Sequence, residues 1–558
     1  MKKSFVLILL SVLILIPFVN SCSSSDDESS DASAKITLSF SAIAKNTNDT
    51  VNSEDLDENS VVQLIDKTGN VIQEQAIPEN RTVTFTDLEV GQKIAIRAQI
   101  DSLAGQSSFS TLKRGTNTIN LSLNETNYFV DSLNGSDDNT GTSIKSPFKS
   151  LEKAWSTARP ADAREDQQGN ECAIALLSNV ELSEALENGT NQGDLTLYLN
   201  GYTIYNKYTT SEATQTPSEG SIPALFTSTS KISMFNGTID GNNLNTNAFF
   251  NTATLKLEDM LVKNFSGDYV IVLSRGELLL TDTIIRDSSV TQVPVYIASG
   301  HAELTSSKIY NTSGIVGAIC NIGASTVLTD DTMIYNITSK GGDITNSNNN
   351  STTTIDENIA VYNAGTVVMC GASIKSCVYN TGTFALLDSY THQWTVDDKT
   401  YEGNSFSIGK NQQNLIKNAA ENTGAAFSQT ECARLILGPS AKFEAANGTP
   451  GVINQLYTSS GTPNNNGNIG LVSEDFKNDV VAYLLGQQIT NEGETAGTPY
   501  TPFLSERDVD ESTFQKFVDV AETTLKYFPL AKKADYADKY EYKYSEDYGK
   551  WQITVKQN

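Results

Sequence analysis

Asp240, Lys263 and Arg286 follow one another at intervals of 23 residues, and each stands one position before a Gly, Asn or Asp. The same position is Tyr205 35 residues earlier, and Tyr310, Tyr335 and Lys375 at later steps of 24, 25 and 40. Each follows an aliphatic residue: Ile204, Ile239, Val262, Ile285, Ile309, Ile334 and Ile374. If every such pair lies on a strand, alternation points the aliphatic member inward and its successor outward. The outward column then combines a carboxylate, three cations and three phenols. A lysine beside a carboxylate site can act as base in elimination from an acidic sugar, and aromatic rings can stack on sugar faces. Arg286 would lower the pKa of Lys263 while Asp240 would oppose that, and the sequence does not say which prevails. The structural alternative stays open: outward tyrosines and opposite charges on adjacent strands also stabilise a sheet without doing chemistry.

The elements that must position this column are coils of a solenoid. The phrases LNGYTIYN, MFNGTIDG, LEDMLVKN, LTDTIIRD, LTSSKIYN, TDDTMIYN and MCGASIKS align with Asn206, Gly241, Asn264, Asp287, Asn311, Asn336 and Ser376 at one turn position. One coil per repeat is predicted, with insertions at 209–221 and 339–356. The aliphatic residues become an inward ladder in which each coil is stabilised by its neighbours. Asn and Asp suit the corners, because they tolerate left-handed backbone angles and bond locally. Ahead of the coils, residues 128–158 read as a strand, a polar turn, Pro147-Phe148 and a helix from about Ser150. That helix can bury Leu151, Ala154 and Trp155 against the open edge of the first coil. Asp131, Asp137, Asp138 and Asn139 are expected to build the turn. They lack the closing glutamate of a calcium loop, and calcium is the one cofactor the residues leave room for. Only two histidines are present, so a zinc site has little material.

The segment YFVDSLNGSDDNTGTSIKSPFKSLEKAWSTA closely resembles the opening of right-handed parallel β-helix proteins of the pectate-lyase-like superfold. The resemblance implies an all-β chain, a right-handed parallel β-helix solenoid over 125–499 preceded by a small antiparallel β-sandwich over 35–124. β-Helix enzymes and glycan binders use outward stripes of this kind. The catalytic sets of polygalacturonases, pectate lyases and pectin esterases are nevertheless missing: there is no NTD with DD, GHG and RIK, no DHxxR and no QDTL or GRPW. TIDGNN at 238–243 resembles a phrase common in β-helix polysaccharide enzymes and equally serves a corner. Trp394, with His392 in YTHQWTV, is a further candidate sugar platform or a packed tryptophan.

The ends locate the chain. Lys2 and Lys3, an apolar run over 5–16 and FVNSC form an export signal over 1–21, and the cysteine resembles that of a lipobox, which implies lipid attachment to Cys22. The acidic, serine-rich stretch 22–34 reads as a tether, and it resembles sorting signals for the outer face of the outer membrane. The phrase TFTDLEVGQKIAIRAQID within 35–124 resembles immunoglobulin-like or transthyretin-like spacer domains, and a binding module is the alternative. Residues 500–558 are expected to cap the far end. Loss of Lys2 and Lys3 takes the 39 cationic side chains to 37 against 66 acidic ones, a balance of −29, which disfavours nucleic acid as a partner. Besides Cys22 the chain has Cys172, Cys320, Cys370, Cys377 and Cys432, an odd number without a CxxC pair, expected mostly as small buried residues. Two functions follow as expectations. The first is an outer-membrane, lipid-anchored surface protein that displays its β-helix for adhesion or for binding a glycan or other cell-surface ligand without catalysis. The alternative is a polysaccharide lyase or hydrolase that works on an acidic glycan along the stripe. Inserted loops that wall the stripe would favour the enzyme, and loops elsewhere would favour display.

Overall fold

The computed structural model describes residues 36–40, 60–159, 171–208, 224–418, 425–458 and 468–490, with shorter stretches between 493 and 556, apart from brief internal gaps. The signal, Cys22, the tether, the insertion 209–221, Cys432 and residues 506–521 lie outside the described residues.

The chain is all-β, and its main body is a parallel β-helix. Among the described residues, one sheet of 23 strands, parallel except at its C-terminal end, carries two strand segments per coil, and a second of 12 strands, likewise parallel except at its end, carries the third. Each coil therefore has three faces, and parallel connections of this kind are expected to wind right-handedly. The predicted ladder lies on the second face: Ile204, Ile239, Val262, Ile285, Ile309, Ile334 and Ile374 pair in unbroken register. All seven are buried. Val180 precedes them, and Ile416 and Phe443 follow. Leu257, Leu280, Leu304 and Leu328 form a matching ladder on the first face. Phe249, Ile271, Val295 and Ile319 do so on the third. The three ladders meet in one continuous core, so removing apolar surface from water at roughly 25 cal/mol per Å² stabilises every coil through the next.

Corner chemistry follows the sequence. Asn264, Asp287, Asn311 and Asn336 sit at φ values of 60°, 52°, 54° and 52°. Asn206, Gly241 and Ser376 turn without a positive φ. The opening segment is also as expected. Helix Leu151–Ala158 begins at Ser150, whose hydroxyl accepts from the Lys153 N–H, and it buries Leu151, Ala154 and Trp155. Asp137 accepts from the N–H groups of Lys149 and Ser150, and Asp131 from those of Leu133 and Asn134, so both carboxylates are engaged within the turn.

Two insertions are β-hairpins. Gly342–Asn346 with Ser351–Ile355 folds over the third face, where Ile344 and Ile355 cover Cys320, Ile359, Tyr362 and Cys377. Ser389–Val396 with Lys399–Ser407 roots Tyr390 and Phe406 on Val368, Cys370 and Ala385 outside the first face. Cys320, Cys370 and Cys377 are thus buried under hairpins rather than inside the solenoid. Together with Cys172 they carry free thiols.

The N-terminal domain is a sandwich of two sheets around Val62, Leu64, Phe85, Ile96 and Leu121. Its pairing is antiparallel except for Ile36–Phe40 beside Asn117–Leu121. The domain packs directly against the first coils through Val61 and Ala104, which meet Phe129, Ile144, Ala175 and Leu177. At the far end Lys550–Val555 turns antiparallel onto Phe503–Ser505 and Tyr540–Ser545, which ends the parallel stack.

Candidate functional site

The outward column of the second face has the order its repeats imply. Tyr205 pairs with Asp240, Asp240 with Lys263, Lys263 with Arg286, Arg286 with Tyr310, Tyr310 with Tyr335 and Tyr335 with Lys375. Neighbouring rows are about 4.8 Å apart, so a chain molecule laid along the axis would meet several members at once.

The charges in the column are engaged with neighbours in the column or at the corner. Lys263 Nζ lies 3.1 Å from Asp240 Oδ2. Asp240 also accepts from the Asn264 amide at 2.9 Å and from the Asn242 N–H at 3.0 Å. Burial would raise the Asp240 carboxyl, but these amide donors and the Lys263 ammonium hold it below its ordinary value. Arg286 Nη1 bonds Asp287 Oδ2 at 2.7 Å. Asp287 Oδ1 in turn accepts from Asn311, which accepts from Asn336, so the corner ladder continues the ion pair along the axis. Asp287 entered the sequence argument only as a corner residue. Its adjacency to Arg286 was the signal for the second role.

The aromatic members are arranged as a stack. Tyr310 and Tyr335 lie 4.8 Å apart between centroids with 12° between planes. Lys375 Nζ sits 6.0 Å from the Tyr335 ring centre. Their facing surfaces are therefore occupied, and a ligand approaching from solvent meets ring edges and hydroxyls rather than open faces. Burial and Tyr310 raise the Tyr335 phenol above its ordinary value, with Arg286 opposing. The arrangement recurs on the first face, where Tyr198 stacks on Phe235 at 5.6 Å and Lys256 covers Phe235 at 5.1 Å. Recurrence on two faces is what the structural account of outward stacks requires. Tyr205 stands apart from the stack and is 36% exposed. Trp394 is not brought into the column: it lies on the hairpin rooted over the first face, paired in register with Tyr401.

A second group of ionisable residues, which the sequence argument did not single out, lies on the first face. Glu277 and Glu303 occupy adjacent coils two positions apart in register, with His301 directly beside Glu277. Burial raises the Glu303 carboxyl; the Thr305 hydroxyl opposes this, and Asp330 and Glu277 add to the rise. Lys256 pairs with Glu258 at 2.8 Å one coil before Glu277. Among the described residues no three His, Cys, Asp or Glu side chains converge to hold a metal ion. A ladder of asparagines was also missed. Asn321 donates to Asn363 at 2.9 Å and Asn363 to Asn380 at 2.8 Å, all buried. The signal was present in the phrases CNIG, YNAG and YNTG.

No protein-family model and no curated protein matches this chain.

Proposed function

We propose that the chain is a non-catalytic surface protein, held to the outer membrane by lipid on Cys22, that presents the second face of a pectate-lyase-like β-helix to a glycan or cell-surface ligand. The observation that carries this reading is where the hairpins stand. Both described hairpins cover other faces, the third and the first, and neither walls the column from Tyr205 to Lys375. An enzyme cleft needs walls to exclude water around the reacting atoms. A face that neither described hairpin walls suits broad contact with an extended partner. The pairing of Lys263 with Asp240 and of Arg286 with Asp287 also supports binding over catalysis, since both cations are committed to neighbours. Contact would run through Tyr205, the edges and hydroxyls of Tyr310 and Tyr335, and the head of Lys375.

A glycan array paired with an assay for unsaturated uronide product tests the reading. Binding that falls in Tyr310→Ala/Tyr335→Ala, with no product from any glycan, is the expected result. Turnover that disappears in Lys263→Ala would replace it with the lyase alternative. The anchor is tested separately: Cys22→Ser should lose labelling by a palmitate analogue, and unchanged labelling would remove the lipid from the account.

A further inference from the structure

We propose that the N-terminal sandwich serves as the folding template for the first coils of the β-helix. An end coil has a neighbour on one side only, and parallel pairing brings together strands distant in sequence, so the first coil is the costliest to form. Here side chains of the sandwich hold the cap and the corners of the early coils. Arg97, on strand Lys93–Ile100, is 2% exposed. Its Nη2 donates to the Leu177 carbonyl at 2.6 Å and to the Tyr202 hydroxyl at 3.2 Å. Gln106 and Gln63 hold the same guanidinium from the sandwich side, at 3.1 and 3.4 Å.

Most of these interdomain bonds end on the backbone. Gln106 donates to the Asn200 carbonyl at 3.0 Å, and Gln99 accepts from the Ile144 N–H at 2.9 Å and donates to the Thr142 carbonyl at 3.3 Å. With the Leu177 carbonyl, these groups belong to the cap and to the corners that follow Cys172–Leu176 and Leu195–Tyr198, on the side of the coils that the sandwich covers. A buried backbone group left without a partner is destabilising. The order of synthesis favours the template. The sandwich precedes the coils and closes its own core without any β-helix residue. Its last strand, Asn124–Glu125, is followed almost at once by the first coil strand, Tyr128–Val130, so docking closes a minimal loop. Arg97, Gln99 and Gln106 are thus in place before the groups they receive exist as a coil. Close contact is required on both sides: a Cβ on Gly69 would lie 2.5 Å from the Leu177 carbonyl oxygen.

Refolding kinetics of the full chain separate a template from a late-forming brace. Trp155 in the cap, with Trp394→Phe and Trp551→Phe as background, reports closure of the first coils after dilution from urea. Arg97→Met should slow folding about tenfold or more while changing the unfolding rate by less than about threefold, because the lost bonds form before the barrier. Gln106→Ala should act in the same sense and less strongly. Unchanged folding with faster unfolding in both variants would overturn the proposal. If Arg97→Met does not refold at all, Gln106→Ala decides: slowed folding upholds the template and a native folding rate rejects it.

Discussion

Adjacent residues on one strand carry opposite consequences here, and Ile285 and Arg286 show it most sharply. Ile285 is buried between Val262 and Ile309, so Ile285→Asp places an unpaired carboxylate in the core and should cost several kcal/mol, about 3–5. Arg286 points to solvent, and loss of its pair with Asp287 should cost at most about 1 kcal/mol in Arg286→Asp. Urea midpoints check the contrast, and equal losses would mean that the register is wrong. Glu303 makes a different prediction. Burial, Asp330 and Glu277 raise its carboxyl above the ordinary 4.5, against the Thr305 hydroxyl. The unfolded chain then ionises first as pH rises, so the folded state loses stability as pH climbs from about 4.5 through the folded pKa, and the penalty stands in full above that. Glu303→Gln keeps an acceptor for Thr305 and should raise the melting temperature at pH 7.5 but not at pH 4. A variant that gains equally at both pH values would show that the effect is packing rather than charge.

At the scale of elements, the coils were legible because two signals coincide: period-two alternation within each strand and a near-constant repeat between strands. Together they placed the inward ladder and every member of the outward column. What stayed illegible depends on contacts between residues far apart in sequence. Repeat spacing does not say which face an insertion covers, so the hairpin within 339–356 could be located but not aimed, and the one at 389–407 lay beyond the last aligned repeat. Nor does it reveal how polar groups at the corners are shared. Thr283, Ser307 and Thr332 stand at one position of LTDT, LTSS and LTDDT, and they form a buried hydroxyl ladder. Ser307 accepts from the Thr283 N–H at 3.1 Å and donates to a carbonyl, Leu280 at 3.1 Å or Thr305 at 2.9 Å. Ser307→Ala should strand the Thr283 N–H away from water and cost about 1–3 kcal/mol. Surface Ser289→Ala, one coil earlier, should change stability by about 0.5 kcal/mol at most. Hydrogen exchange at Thr283 gives the local reading, and protection unchanged in Ser307→Ala would show that another group takes over the bond.

For the whole molecule the governing problem is its ends, since a parallel stack would otherwise present a row of unpaired backbone groups at each. The front is closed by helix Leu151–Ala158 and by the sandwich, and the docking of the sandwich was not readable because its bonds join residues such as Arg97 and Tyr202, 105 positions apart. The rear is closed differently. Phe503–Ser505 still adds to the parallel sheet beside Asn468–Leu471, and then Lys550–Val555 and Tyr540–Ser545 reverse direction. The cap expected over 500–558 thus ends the repeat by reversing strand direction. Tyr540 and Ile553 are buried in the common core, and the Tyr542 hydroxyl donates to the Phe528 carbonyl at 2.5 Å, so the cap is fastened by packing as well as by pairing. A chain ending at residue 498 should therefore expose the strand edge of Asn468–Leu471 and that of Tyr483–Thr490 around Leu484, which Leu530 otherwise pairs, and associate edge to edge. The net charge of −27 on the full chain opposes such association at low salt. Screening falls to about 3 Å at 1 M ionic strength, so the truncated chain should elute as larger species in salt while the full chain does not. Light scattering across a salt series measures this, and a truncated chain that stays monomeric in high salt would show that the stack is closed before residue 498.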